Sequence, residues 1–340
     1  MPDSWQAGWP DDVFPPACTV EGNVCSGVCG MDIVEALKAL FIGLVEGLTE
    51  WLPISSTGHM ILVDEFVQLD VSDEFLELFL VVIQLGAIMA VVILYFDKLN
   101  PFSRRKTRVQ RSSTWRLWGM VVVGCVPAAV VGVLFDDWVN AHFYNAYVVA
   151  SMLIVYGIVF IVIETRNGRR LVQAVHDSYA PGAEPFATRA DGSPDPDALF
   201  SIRSVDDIDA KTALKIGLFQ CLAIIPGTSR SGATIIGGML MGCSRTAAAE
   251  FTFFLAIPVM LGWGLLKAVK YVLELGSLAM TATELGVLVI GVLTAFLVSV
   301  ASIKFLMGYV KGNDFRPFGI YRICIGLVVL AYFGMRALVG

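Results

Sequence analysis

Charge is what this sequence has least of, followed by any excess of basic residues and any ordered pattern of cysteines. Each shortage narrows what the chain can be. Asp, Glu, Lys and Arg together make up 16% of its 340 residues, well below the roughly 25% of a soluble domain. The net charge of −6, with no basic stripe along the chain, excludes a nucleic-acid backbone as partner. The seven cysteines show no zinc-ligand spacing. Cys125, Cys221, Cys243 and Cys324 lie in or beside apolar segments and read as small buried hydrophobes. Cys18, Cys25 and Cys29 cluster in a polar leader and leave room for one disulfide and a spare thiol if it faces an oxidising compartment. That leader, residues 1–30, has neither a basic start nor a long apolar run, and Pro10, Pro15 and Pro16 interrupt it. It reads as an extracytoplasmic extension and not as a secretory signal.

What is abundant is apolar: 56% hydrophobic residues and a mean hydropathy of +0.72. Several runs reach the roughly 20 residues that cross a bilayer core. The expected fold is therefore an all-α polytopic membrane protein, one integrated domain over residues 31–338. Spans are predicted at 75–96, 117–135, 146–163, 247–272, 285–306 and 318–338. Two further helical stretches are too short and broken to cross. Residues 32–51 and 59–69 are divided by Pro53 and the cluster at 55–58, and residues 211–225 and 233–242 by PGTSRSG at 226–232. Broken backbone at membrane depth is tolerated only where protein or a polar cavity surrounds it, so each pair reads as a re-entrant helical hairpin. Between the halves, residues 164–210 read as a solvated acidic cytoplasmic loop, with nine acids against five arginines over 164–209.

The halves echo each other. A shift of 174 residues places Gly43 on Gly217, Leu44 on Leu218, Glu46 on Gln220, Leu48 on Leu222, Ser55 on Ser229 and Gly58 on Gly232. Each half is a broken hairpin followed by three spans, so a duplication is expected, repeat 1 over 31–163 and repeat 2 over 211–338. Seven basic residues lie in 97–116 (Lys98, Arg104, Arg105, Lys106, Arg108, Arg111, Arg116), while 136–145 has none. Arg166, Arg169 and Arg170 follow the third span, and Lys304, Lys311, Arg316 and Arg322 bracket the last connection. The positive-inside rule puts these basic connections in the cytoplasm and both termini outside. Three spans per half is odd, so the repeats have inverted topology and their broken tips should meet near the midplane.

Chemistry gathers at those tips. Glu46 and Glu50 share one helix face. Two carboxylates inside a membrane are costly and repel unless something positive joins them. A hydrated interfacial pair is the plain explanation; the sharper one is a hard divalent cation, Mg²⁺ first and Ca²⁺ second, shared with substrate phosphate. Ser55, Ser56 and Thr57 precede Gly58 and His59. Such hydroxyls cap helices, and the same arrangement cradles an anion with exposed amides and a positive dipole end. His59 is placed to act as general acid or base. The second tip, Gly227, Thr228, Ser229, Arg230, Ser231, Gly232, Ala233 and Thr234, contributes an arginine fork suited to phosphate oxygens, with glycines that let amides approach. The plain alternative is an Arg230 that pairs with Glu46 or Glu50 for structure alone. If the tips converge, one pocket holds the equipment for phosphoryl chemistry on a lipid-borne substrate.

EGLTEWLPISSTGHMIL from Glu46 and PGTSRSGATI from Pro226 closely resemble the two signature motifs of the undecaprenyl-diphosphate phosphatases, the bacitracin-resistance family. VIQLGAI from Val82, the EF of Glu250 and Phe251, and IYR from Ile320 match as well, so the resemblance covers residues 31–338. It implies an enzyme of the cell membrane that hydrolyses a polyprenyl diphosphate to the monophosphate plus phosphate, recycling the lipid carrier for cell-wall glycan synthesis. It also implies interlocked inverted repeats and frequent homodimers; a pocket opening to the outer face is expected because diphosphate carriers are produced there when glycan is transferred. Carried over, Glu46 and Glu50 look like the acidic metal-binding pair, Ser56 like the essential serine with His59 beside it, and Arg230 like the phosphate-binding arginine. Ser229, Ser231 and Thr234 look like its supporting hydroxyls. The leader and the long acidic loop depart from the family pattern without touching the motifs.

Two mechanisms stay open: attack by Ser56 on phosphorus with a phosphoserine intermediate, or attack by a metal-bound water while Ser56 positions the substrate. Acid-phosphatase-like lipid phosphatases need a second histidine after their Ser-Arg element, and neither His142 nor His176 follows Arg230. From a non-enzyme class, inverted repeats with broken helices also mark transporters, so a polyprenyl-phosphate flippase is the alternative.

Overall fold

Each helix begins where the sequence supplies an acceptor for its unpaired first-turn amides. Asp32 takes the Val34 amide and opens α1, Ile33–Thr49. Ser55 takes that of Gly58 and opens α2, Ser56–Phe66. Ser72 opens α3, Asp73–Leu94, which is followed by the short α4, Phe96–Leu99. Thr107 and Gln110 form a capping box at the start of α5, Arg108–Phe143, and Asn145 caps α6, Ala146–Asp177. In the second half Asp209 opens α7, Ala210–Cys221, and Ser229 opens α8, Arg230–Leu240. Then come α9, Arg245–Leu275; α10, Ala282–Val310, behind a Thr281/Glu284 capping box; and α11, Arg316–Val339. This computed structural model describes residues 32–189, 192–275 and 280–339. The leader with Cys18, Cys25 and Cys29 lies outside the described residues.

Among the described residues the chain is all-α, its only bridges being two isolated ones. Six helices are long and apolar enough to cross a membrane: α3, α5, α6, α9, α10 and α11. They coincide with the six predicted spans. The four short helices α1, α2, α7 and α8 are the expected broken pairs, but α2 and α8 start earlier than predicted. The hydroxyl and glycine clusters at both breaks are the first helical turns themselves, because Ser55 (φ 76°) and Ser229 (φ 70°) make the sharp change of direction just before them.

The halves interlock. The first arm of each pair packs on a long helix of the other half, α1 on α10 and α7 on α5. These contacts are close enough to require glycine. A Cβ on Gly43 would lie 2.5 Å from the Gly291 carbonyl oxygen, and one on Gly217 would lie 2.2 Å from that of Gly124. The remaining major packings are α6 on α11, α3 on α10, α3 on α9, α8 on α9, α7 on α8 and α9 on α5. Most of these contacts have a counterpart when the halves are exchanged; α8 on α9 is the exception, with no comparable packing of α2 on α3.

The segment after residue 163 differs from the solvated loop predicted there. Helix α6 continues through Asp177, and Glu164 is fully buried against Arg245. Further on, Ile202 bridges to Cys243, while Val205 and Ile208 sit in the main hydrophobic core. Composition alone hid this, because the acids and prolines of the segment surround a few apolar anchors and one carboxylate with a partner on another helix.

Candidate active site

Both helix breaks end at one place. Following α1, the chain turns through Trp51, Leu52, Pro53 and Ile54, all buried, before Ser55 reverses it. This carries Ser56 back beside Glu50, and its hydroxyl donates to Glu50 Oε2 at 2.6 Å. The other oxygen, Oε1, accepts from Arg230 Nη2 of the second break at 2.8 Å. A carboxylate, a hydroxyl and a guanidinium from two segments 180 residues apart are thus joined in one chain of charge-assisted bonds. Arg230 also reaches the Thr252 carbonyl, and Thr252 donates to Thr234, which donates in turn to the carbonyls of Arg230 and Ser231.

Glu46 lies one helical turn before Glu50 and is 1% exposed. Its Oε1 is buried with no hydrogen-bond partner. Glu46, Ser56 and Thr57 line a cavity of about 440 Å³. Ile42, Met60, Ile61, Val63, Leu76 and Leu80 also line it, as do Asp64, Asp73, Glu77 and Lys267.

The structure places the other predicted residues differently. Both ring nitrogens of His59 have partners other than Ser56: Nδ1 meets the Ser55 carbonyl at 2.7 Å and Nε2 the Tyr321 hydroxyl at 2.8 Å. Ser55 and Ser229 spend their hydroxyls on the Gly58 and Gly232 amides, as caps. Ser231 donates to the Glu50 and Leu52 carbonyls at 3.2 and 3.3 Å, fastening the second break to the first. Gly227 has φ +87° and sits against the Val149 backbone, where no Cβ fits. The carbonyls of Gly227 and Thr228 both accept from Arg322. These six residues therefore carry contacts within and between the breaks, while Glu46, Ser56 and Thr57 line the cavity and Glu50 ties Ser56 to Arg230.

A divalent cation fits part of this donor set. The orphaned oxygen of Glu46 is an acceptor in need of a positive partner, and Glu50 stands beside it on the same face. Among the described residues no group of three or more His, Cys, Asp or Glu side chains assembles that could hold a metal alone. A cation here would need oxygens from the substrate.

The family model described as "Bacitracin resistance protein BacA" matches residues 39–328, which include both breaks, the cavity and most of α11. The chain belongs to the BacA family. Curated relatives agree. An undecaprenyl-diphosphatase of Desulfitobacterium hafniense is 51% identical over 311 residues, covering 91% of this chain and 100% of the relative. Undecaprenyl-diphosphatases of Streptococcus thermophilus and Enterococcus faecalis are each 50% identical, covering 91% and 87% of this chain and 96% of each relative.

Within this BacA-family chain, reading the motifs missed Tyr321, Arg322, Thr252 and Gln84. Gln84, in VIQLGAI, lines the cavity, and Tyr321 and Arg322 of IYR hold the breaks. One signal was available: Arg322 falls inside an apolar run, and such an arginine must find acceptors.

Proposed function

We propose that this chain is an integral-membrane phosphatase that hydrolyses undecaprenyl diphosphate, or a closely similar polyprenyl diphosphate, to the monophosphate plus phosphate. In the cell this would recycle the lipid carrier of cell-wall glycan synthesis and so confer resistance to bacitracin. The observation that carries the reading is the bonded set Ser56–Glu50–Arg230, joined through Ser56 to a cavity lined by both polar and apolar side chains. A diphosphate on a prenyl chain has both characters, and the relatives carry the matching name.

Each residue then has a task. Arg230 binds the oxygens of the terminal phosphate and faces the charge that builds up on them. Thr57 and the first turn of α2 present polar groups and a positive dipole end to the same oxygens. The Ser56 proton already points at Glu50, which supports Ser56 as nucleophile and Glu50 as its base. In that step a bond forms between Oγ and the terminal phosphorus, the bridging P–O bond breaks, and the polyprenyl monophosphate leaves. Water then hydrolyses the phosphoserine, releasing phosphate and restoring the serine. Glu46 and Glu50 would hold a divalent cation, Mg²⁺ by preference, which when bound offsets the diphosphate charge.

The architecture is read as two inverted repeats, each a re-entrant hairpin plus three spans. The contacts that survive exchange of the halves support this, as do the two matched glycine crossings. With basic connections in the cytoplasm, both termini and the 70–74 turn face outward. The cavity is lined by Asp64, Asp73 and Tyr144 on that same side, which supports a pocket open to the outer face of the plasma membrane. Homodimer formation rests on the family resemblance alone.

Purified protein in detergent, given polyprenyl diphosphate and Mg²⁺, should release phosphate, and Glu50→Gln and Arg230→Ala should abolish most of it. No release would sink the phosphatase reading and favour a flippase. Trapping a labelled phosphoenzyme in the native protein but not in Ser56→Ala tests the serine route. Its absence, with Ser56→Ala still partly active, would assign Ser56 to substrate positioning.

A further inference from the structure

Arg322 of α11 is fully buried, and among the described residues it has no carboxylate partner. Its guanidinium donates to main-chain carbonyls. Nη1 reaches Pro53 at 3.2 Å; Nη2 reaches Gly227 and Thr228 at 2.9 Å each and Met152 at 3.4 Å; Nε reaches Leu153 at 3.4 Å. Pro53 belongs to the first break and Gly227 and Thr228 to the second, while Met152 and Leu153 are on α6. These carbonyls at the breaks lie where no helix ladder serves them, in a region with little water to take its place. A buried cation without a counter-ion is expensive to keep. Here one planar fork answers acceptors on both breaks at once, which a lysine, with a point charge, cannot do. Space is reserved for it: a Cβ on Gly232, in the first turn of α8, would lie 3.2 Å from Nη1. The adjacent Tyr321 adds a second hold on the first break through His59.

We propose that Arg322 is a positioning residue of the phosphatase reaction, clasping the two breaks so that Ser56 and Glu50 of one meet Arg230 of the other. This rests on the phosphatase reading above. Few side-chain bonds otherwise cross between the breaks: Arg230 to Glu50, and Ser231 to the carbonyls of Glu50 and Leu52. Without the clasp the reacting groups lose their mutual register, and a displacement of about 1 Å costs roughly 100-fold in rate.

The experiment uses the full chain in detergent and measures phosphate release from polyprenyl diphosphate with Mg²⁺, alongside thermal melting. Arg322→Lys should lower kcat about 100-fold while KM changes less than about threefold. In an Arg230→Ala background the same change should cost less than about threefold more, because a clasp that aligns Arg230 has nothing left to align. Native kcat in Arg322→Lys, or equal fractional losses in both backgrounds, would overturn the proposal. So would failure of both Arg322→Lys and Arg322→Gln to fold, which would assign the residue to the fold itself. A native protein that releases no phosphate overturns the phosphatase reading along with it, whereas an active native protein with an indifferent Arg322→Lys overturns this proposal alone.

Discussion

Replacing Glu164 with alanine should destabilise the protein by about 3–5 kcal/mol, the cost of breaking a buried ion pair from one side. The structure sets the size of the effect. The Glu164 side chain is 0% exposed, and it accepts from Arg245 Nε at 2.8 Å, from Arg245 Nη2 at 2.5 Å and from the Phe315 amide at 3.0 Å. The alanine variant strands a nearly buried guanidinium and one backbone donor together. At about 2 °C per kcal/mol for a chain of this size, the melting temperature should fall by about 6–10 °C. A thiol-reactive dye can follow the transition through Cys243, which is 0% exposed and two residues before Arg245, as a rise above the label taken up at the exposed Cys324. Glu164→Leu combined with Arg245→Met should recover most of the loss, since a buried pair exchanged for apolar groups of similar size is often neutral. Phosphate release per folded molecule should stay near native in both variants. A single variant that melts within about 2 °C of the native protein, or a double variant no better than the single, would refute the assignment of this pair as a fastening between α6, α9 and the start of α11.

Three further outcomes are expected. Gly217→Ala should lose about 1–3 kcal/mol through overpacking against the Gly124 carbonyl, while Gly308→Ala, with open space around it, should be neutral or slightly stabilising; melting curves separate the two. Chelation should abolish phosphate release and Mg²⁺ should restore it, with Glu46→Gln raising the half-saturating Mg²⁺ concentration by about tenfold or more; an unchanged Mg²⁺ curve would remove Glu46 from the cation site. Ser56→Ala should lower kcat by at least about 100-fold with little change in melting temperature, and a smaller loss would argue against covalent attack.

How much of this was legible in the sequence depended on the range of the interaction concerned. The six spans follow from local apolar runs, and the structure agrees with them helix by helix. Glu50 and Arg230 were singled out because charge in an apolar setting must be answered, and they answer each other. The starts of α2 and α8 were misplaced because Ser and Gly clusters look like helix breakers, whereas one strained serine before each makes the turn and the rest is helix. His59 was expected beside Ser56 on sequence proximity, yet its Nε2 partner is Tyr321, 262 residues away. The five carbonyls gathered by Arg322 leave no trace in composition or periodicity, since backbone acceptors are the same at every residue. Glu164 read as solvated for a similar reason, its partner lying on a separate helix.

The crossing of α1 over α10 has a consequence for how the protein is made. Gly43 and Gly291 touch across about 250 residues of chain, so at 5–20 residues per second the ribosome needs of order ten to fifty seconds to supply the second after the first. Throughout that interval α1 lacks the helix that covers its glycine face, and for most of it Glu50 lacks Arg230. The first half is therefore completed only when α10 arrives. Stalling synthesis before residue 282 should leave a first half that proteases recognise.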